Sequence, residues 1–343
     1  MYRIGVMGCG VVASYGHLPA IVDTPELQLA AIFDPDESRV KELGNRYPGV
    51  LQFTDADSFI EAPLDAIVIA SPAPSHSSNL ELAAARGLPV LCEKPLASTE
   101  QEANEMIELM KSRNLMLYTG FCYRFSPISM KIREIVQSGA IGKVRALRLM
   151  YLWNLDGKYV IHPDGEWGLN ERRAERMVEG GPMVDCGVHQ VDLARWWLQS
   201  EVVRHHGIGV WLEEYEAPDH VYLHMDHACG AHTMVEMSFS YSATARDPLS
   251  YFSYELIGTG GVIRYNRDGW FFEMRNGYST QVLSGGSEKN FHGMYQEFAR
   301  SLRSGEPGDL PTGEDGVIAT GIARAATNEA IRNRLQVGHT VIR

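Results

Sequence analysis

Apolar residues in the first third of the chain fall in short unbroken runs separated by longer amphipathic stretches. The runs that begin at Tyr2 and cover Leu27–Phe33, Ala66–Ala70, Pro89–Cys92 and Leu115–Thr119 read as buried parallel strands. A strand covered on both faces loses the apolar–polar alternation. Helical periodicity at Ser75–Arg86 and Thr99–Arg113 lies between them. Strand, helix and strand repeated to about residue 120 predict an α/β domain with a doubly wound parallel sheet of the Rossmann type. The order changes after Cys122. A helix over Pro127–Gln137 is followed by many strand-like runs from Lys143 to Leu283 and by two helices after Asn290. That order predicts an α+β second domain with a large, mostly antiparallel open sheet. The expected domains are 1–122 and 123–343, with the last helices returning to the first.

Composition narrows the partners. At 343 residues with 45% apolar content, the chain is long enough to bury two cores. A net charge of −12 argues against nucleic acid and anionic membranes, and no apolar run is long enough to span a bilayer. The N-terminal run is broken by glycines, so it is not expected to be a signal peptide. Cys9, Cys92, Cys122, Cys186 and Cys229 form no C-x-x-C pair, which suits reduced thiols in the cytoplasm. His205, His206, His220, His224, His227 and His232 lie in alternating, strand-like sequence without a compact ligand pair, so no metal is expected. Residues of moderate polarity alternate through Met234–Tyr241. An open sheet face of that kind predicts a subunit contact and a homo-oligomer.

The first strand runs directly into Gly8-Cys-Gly10-Val11-Val12-Ala13. In a G-x-G-x-x-A turn the first glycine permits the bend and the second admits a pyrophosphate. The small third residue lets the helix pack close to the strand. The pyrophosphate would rest on the helix N-terminus. The second strand ends in Asp34, about 20 residues farther on, where an acid accepts from the adenosine ribose hydroxyls and repels a 2′-phosphate. NAD is therefore favoured, with NADP allowed because Arg39 is near. Ser71, Pro72 and His76 follow the fourth strand at the carboxyl edge, where a rigid loop would line the cofactor.

Gly258-Thr-Gly260-Gly261 joins two strand-like runs and reads as a hairpin turn. In Asp185-Cys-Gly187-Val-His189-Gln-Val-Asp192, a helix opened by Gly187 puts two carboxylates and an imidazole on one face. An ordinary amphipathic helix would carry apolar residues there. Acids beside a group that titrates near neutral pH suit proton transfer. Trp196-Trp197 continues this helix and is expected to pack it against the sheet. Between the motifs, Trp153, Trp167, Arg172 and Arg173 stand in a stretch without periodicity. It reads as a loop over the substrate, with aromatics for sugar faces and arginine for hydroxyls.

Together with the fifth strand's end, Cys92-Glu93-Lys94-Pro95, these motifs resemble the glucose-fructose oxidoreductase/inositol dehydrogenase (Gfo/Idh/MocA) family. The resemblance also covers Ser71-Pro72 with His76, Gly87 through Pro95, Tyr123-Arg124, Gly180 through Asp192, and Pro311 to Gly316. It implies that Lys94 reaches both the nicotinamide and the substrate hydroxyl, and that Asp185 and His189 complete the catalytic set. It also implies that Tyr123-Arg124 form an aromatic–arginine element for substrate. Glu93 is expected to be positional, beside the cofactor. Pro182 and Cys186 depart from the common pattern, and proline suits a helix start.

Oxidising a secondary alcohol needs a hydride acceptor, a base for the hydroxyl proton and a positive group for the developing alkoxide. NAD supplies the first, and Lys94 and His189 supply the other two in either assignment. The expected activity is an NAD(P)-dependent dehydrogenase acting on a sugar, inositol or related polyol. The family also contains glycosidases that use transient oxidation and elimination, and non-catalytic nucleotide-sensing regulators. A pure sensor has no need of Lys94, Asp185 and His189 together.

Overall fold

The computed structural model describes residues 1–155, 157–162, 165–243, 245–285 and 289–336. Six parallel strands form the first sheet: β1 (Tyr2–Met7), β2 (Leu27–Phe33), β3 (Leu51–Phe53), β4 (Ala66–Ile69), β5 (Val90–Cys92) and β6 (Leu117–Thr119). Their order is β3-β2-β1-β4-β5-β6, so the chain reverses its winding between β1 and β4. Every residue of β4 and β5 is buried, which is why those runs carry no alternation. The connections are α1 (Leu18–Val22), α2 (Glu37–Arg46), α3 (Ala56–Ile60), α4 (His76–Ala85) and α5 (Glu100–Ser112). Side chains preceding several of them satisfy the first free amides. Asp36 accepts from Ser38 N at 2.9 Å and Asp55 from Ser58 N at 2.8 Å. Thr99 accepts from Glu102 N at 3.1 Å, while Glu102 reaches back to Ser98 N at 3.1 Å.

The second sheet has eight strands. It follows α6 (Pro127–Gln137) and is built from β7 (Val144–Leu152), β10 (Val202–Val210), β11 (His220–His227), β12 (His232–Ser238), β13 (Tyr251–Gly258), β14 (Gly261–Asn266), β15 (Phe271–Asn276) and β16 (Thr280–Val282). The order is β10-β11-β12-β7-β13-β14-β15-β16, antiparallel except where β12 meets β7. The doubly wound sheet and the largely antiparallel second sheet are both as the hydrophobic pattern predicts. The glycine-rich stretch at residues 258–261 is the β13–β14 hairpin.

One stretch differs. The segment expected as an irregular loop contains a small hairpin, β8 (Tyr159–Ile161) with β9 (Trp167–Leu169), and then α7 (Glu171–Val178). Strands of three residues are too short to show a period.

The helix over the sheet, α8 (Val188–Leu198), is buried along almost its whole length. Trp197 anchors it: the indole N–H donates to Ser129 O of α6 at 2.9 Å, and the ring meets Tyr254 of β13 edge-on with centroids 5.2 Å apart. Trp196 lies under the Arg133 guanidinium at 4.3 Å. Both tryptophans therefore pack the helix. Two closing helices follow, α9 (Phe291–Ser304) and α10 (Gly313–Gln336). The chain divides into two compact units, residues 1–126 with 288–318 and residues 127–287 with 319–343. Among the described residues no helix is long and apolar enough to cross a membrane.

Candidate active site

In the first unit the chain leaves β1 through Gly8, whose φ of +108° few side chains adopt. A Cβ there would also lie 2.5 Å from Ser71 N, so only glycine fits between the turn and the loop after β4. A Cβ on Gly10 would meet no protein atom within 4 Å. Val11 is 74% exposed beside it, Val12 is partly exposed, and Ala13 is fully buried against the sheet. The helix beyond contains a π-segment, Ala13–His17, before α1.

Asp34 closes the other side of the turn. One carboxylate oxygen accepts from Cys9 N at 2.8 Å and the other from Asp36 N at 3.0 Å. Each oxygen has a second lone pair for a hydroxyl. An amide-lined turn with open space above Gly10 and a carboxylate at the end of β2 fits a dinucleotide. Arg39 pairs with the exposed Asp36 at 3.4 Å. Burial pushes the Cys9 and Cys122 thiols up to about 12, so both stay protonated.

The loop after β4 holds Ser71 and Pro72. Ser71 Oγ accepts from Asn79 at 3.0 Å. His76 requires a correction. Its ring is buried, with Nδ1 3.1 Å from Leu96 O and Nε2 2.8 Å from Ser71 O. Both nitrogens face backbone carbonyls, so the ring braces this loop and offers no polar atom to a cofactor.

The strand β5 delivers Glu93 and the partly exposed Lys94. Glu93 is buried and meets His17 Nε2 at 3.0 Å, while Nδ1 of the same ring lies 2.7 Å from the Tyr295 hydroxyl. Lys94 N donates to the second Glu93 oxygen at 3.2 Å. Gly120 must lack a side chain because its Cβ would lie 2.7 Å from Glu93 Oε1. Burial opposes the charged form of Glu93. The hydrogen bond from His17 and the charges of His17 and Lys94 outweigh it and hold the carboxyl below its ordinary value. His17 and Tyr295 were not anticipated, since neither residue stands in a local sequence pattern. Burial also pushes the Tyr295 hydroxyl up, which keeps it protonated. Tyr123 is buried, and Arg124 is nearly enclosed with its guanidinium 3.0 Å from Asp315.

In the second unit, Gly180 and Gly181, with φ of +122° and +71°, reverse the chain after α7. The helix bearing Asp185 begins before that residue rather than at Gly187. Met183–Gly187 is a π-segment that runs on into α8. Pro182 enters it with a helical φ of −61°. Asp185 and His189 are 8% and 6% exposed and Asp192 is fully buried. Cys186 Sγ lies 3.5 Å from Asp185 Oδ2, and Arg176 Nη1 lies 3.5 Å from Asp185 Oδ1. Arg176 was not anticipated, since α7 was not.

Arg173 also requires a correction. Its side chain is wholly buried, bonded to Phe239 O at 2.6 Å and to Ser240, and paired with Glu213 at 2.6 Å and Asp219 at 3.9 Å. An enclosed guanidinium with those partners holds α7 to the sheet and cannot bind substrate. Trp153 is half-buried, stacked on Tyr151 and edge-on to Phe239. Trp167 opens β9, and its side chain lies outside the described residues. Among the described residues no three His, Cys, Asp or Glu side chains are arranged to hold a metal.

Residues 2–121 match the model of an oxidoreductase family with an NAD-binding Rossmann fold, and residues 129–264 match the GFO/IDH/MocA C-terminal domain. The chain is 26% identical to the rhizopine catabolism protein MocA of Rhizobium meliloti, over 95% of this chain and 94% of that one. It is 26% identical to the scyllo-inositol 2-dehydrogenase (NAD(+)) of Bacillus subtilis, over 98% and 95%. Its fold matches the crystal structure of an Agrobacterium radiobacter oxidoreductase in complex with NAD+, L-tartaric acid and magnesium. That match has a TM-score of 0.80 at 22% identity and covers 97% of each chain. The first unit thus contains an NAD-binding domain.

Glu93 sets a pH dependence. Its carboxyl is lower in the folded chain, so its contribution to stability is complete above the ordinary carboxylate value of ~4.3 and is lost as pH falls through the folded value. Glu93→Gln is therefore expected to be less stable than the wild type at neutral pH, with the difference narrowing in acid. Urea unfolding at pH 7 and at pH 4 checks this, and a difference that widens in acid contradicts it.

Proposed function

The chain belongs to the Gfo/Idh/MocA family of oxidoreductases, and from that membership we propose that it oxidises a secondary alcohol of a sugar, an inositol or a related polyol with NAD. The carrying observation is the pair Asp185 and His189, one helical turn apart and nearly buried. They follow a glycine reversal in a chain whose N-terminal domain binds NAD. Relatives that act on inositols support the substrate class. Asp34, at the end of β2, supports NAD over NADP.

Bound NAD supplies the hydride acceptor. Lys94, whose backbone amide donates to the Glu93 carboxylate, steadies the alkoxide as the hydroxyl proton leaves. His189 accepts that proton, imidazole being the side chain that ordinarily titrates near neutral pH. Asp185 orients the hydroxyl and offsets the imidazolium. Ser71, Pro72 and Val11 line the cofactor, and Tyr123 and Trp153 contribute apolar surface for the substrate. The reaction takes place in the cytoplasm, and the thiols are reduced. The second face of the eight-stranded sheet, where Tyr222, Met234 and Met150 are only partly buried, joins subunits into a dimer or tetramer.

Lys94→Met and His189→Ala are each expected to lower kcat by about 10²–10⁴-fold while NADH still binds by fluorescence titration. Full turnover in either variant removes the assignment. Inositols, sugars and sugar acids assayed by NADH absorbance, with NAD and NADP in parallel, identify the substrate; no oxidation of any of them counts against the class. Sedimentation equilibrium at micromolar protein is expected to give two or four chains per particle, and a monomer contradicts the subunit contact.

A further inference from the structure

Arg176 stands one turn beyond Arg173 on α7, and the surrounding contacts fix where it lands. Asn170 caps the helix, accepting from Arg173 N at 3.2 Å while its amide donates to Leu155 O and Gly157 O, each at 3.2 Å. The buried Arg173 then pins the helix to residues 213–240. The chain turns back at once through Gly180 and Gly181, and a Cβ on Gly181 would crowd Pro218 O at 3.0 Å. From α10, Arg324 donates to Glu179 O at 3.2 Å and Thr327 to Gly180 O at 3.4 Å. A reversal held from both sides returns Asp185 to Arg176.

We infer that Arg176 is a positioning residue that keeps Asp185 ionised and aimed for the proton transfer at His189. The role rests on the proposed dehydrogenase reading. The carboxylate is nearly buried, so without a positive partner its charged form would be opposed by desolvation. Arg176 Nη1 is shared, 3.5 Å from Asp185 and 3.0 Å from Glu179 Oε2. Glu179 therefore competes with Asp185 for the same guanidinium. Burial works against the Arg176 charge, while Asp185, Glu179 and Cys186 favour it, and the net effect is upward. The ionisable and charged groups around Asp185 include Arg176 of α7 and Cys186 on its own helix, with Glu179 sharing the Arg176 guanidinium and Arg324 of α10 donating to Glu179 O. The strand β12 packed against this segment brings Met237 close to Gly187, while its Glu236 pairs with His220 at 3.1 Å. A protonated Asp185 would accept only weakly from a substrate hydroxyl and would no longer steady an imidazolium. The Arg176 charge thereby sets the lower pH limit of the reaction.

The test is a carbon-13 NMR titration of the whole chain labelled at aspartate carboxyl carbons. The Asp185 resonance is the one absent from Asp185→Asn. Arg176→Gln is expected to move its midpoint up by about one pH unit, with Arg176→Lys close to the wild type. Glu179→Gln, which frees the guanidinium, is expected to move it down. The acid limb of kcat/KM, for whichever polyol the NADH assay shows to be oxidised, should shift in step. An unchanged midpoint in Arg176→Gln, with Asp185→Asn inactive, overturns the role of Arg176 and leaves the dehydrogenase reading standing. Full activity of Asp185→Asn overturns the catalytic reading of Asp185, and the positioning role with it.

Discussion

A carboxylate removed from water must be met by donors or positive charge, or it costs several kcal/mol. Three of the acids this chain buries, Asp34, Glu93 and Asp185, stand where its chemistry is proposed. Asp34 receives two backbone amides at the edge of the glycine turn. Glu93 receives an imidazole N–H and the amide of the lysine it precedes. Asp185 receives a guanidinium and a thiol. In each case the partner also fixes an orientation, because a hydrogen bond made in the interior has few alternatives to exchange with. The rest of each site follows from those attachments.

The two helices nearest the expected chemistry share a second device. Each begins after a glycine turn and carries a five-residue π-segment, Ala13–His17 in the first unit and Met183–Gly187 in the second. A π-segment widens the turn and re-aims side chains, and such bulges are frequent at functional sites. In the first unit it ends at His17, whose ring reaches Glu93. In the second it contains Asp185. The widened turns bring these two groups to partners from other elements.

Much of this was legible in advance because its causes are local. Unbroken apolar runs declared the buried parallel strands, and Gly8, Gly10, Ala13 and Asp34 declared the turn at which a dinucleotide fits. Other features left no trace in the pattern. Tyr295 meets His17 from a helix far along the chain, and nothing near either residue reports the pairing. Arg173 and Arg176 look alike in sequence, yet one is sealed among Glu213, Asp219 and Phe239 while the other reaches Asp185. His76 has the composition of a cofactor contact and serves as a brace between two backbone carbonyls.

The sequence by itself determined the two kinds of sheet and the glycine turns, together with the residue types available for proton transfer. These follow from periodicity, backbone freedom and side-chain chemistry, which act over a few residues. Tertiary structure alone decided which ionisable groups are partnered, by what and how deeply. A charge's behaviour depends on the dielectric and the neighbours that folding places around it, and those neighbours come from anywhere in the chain.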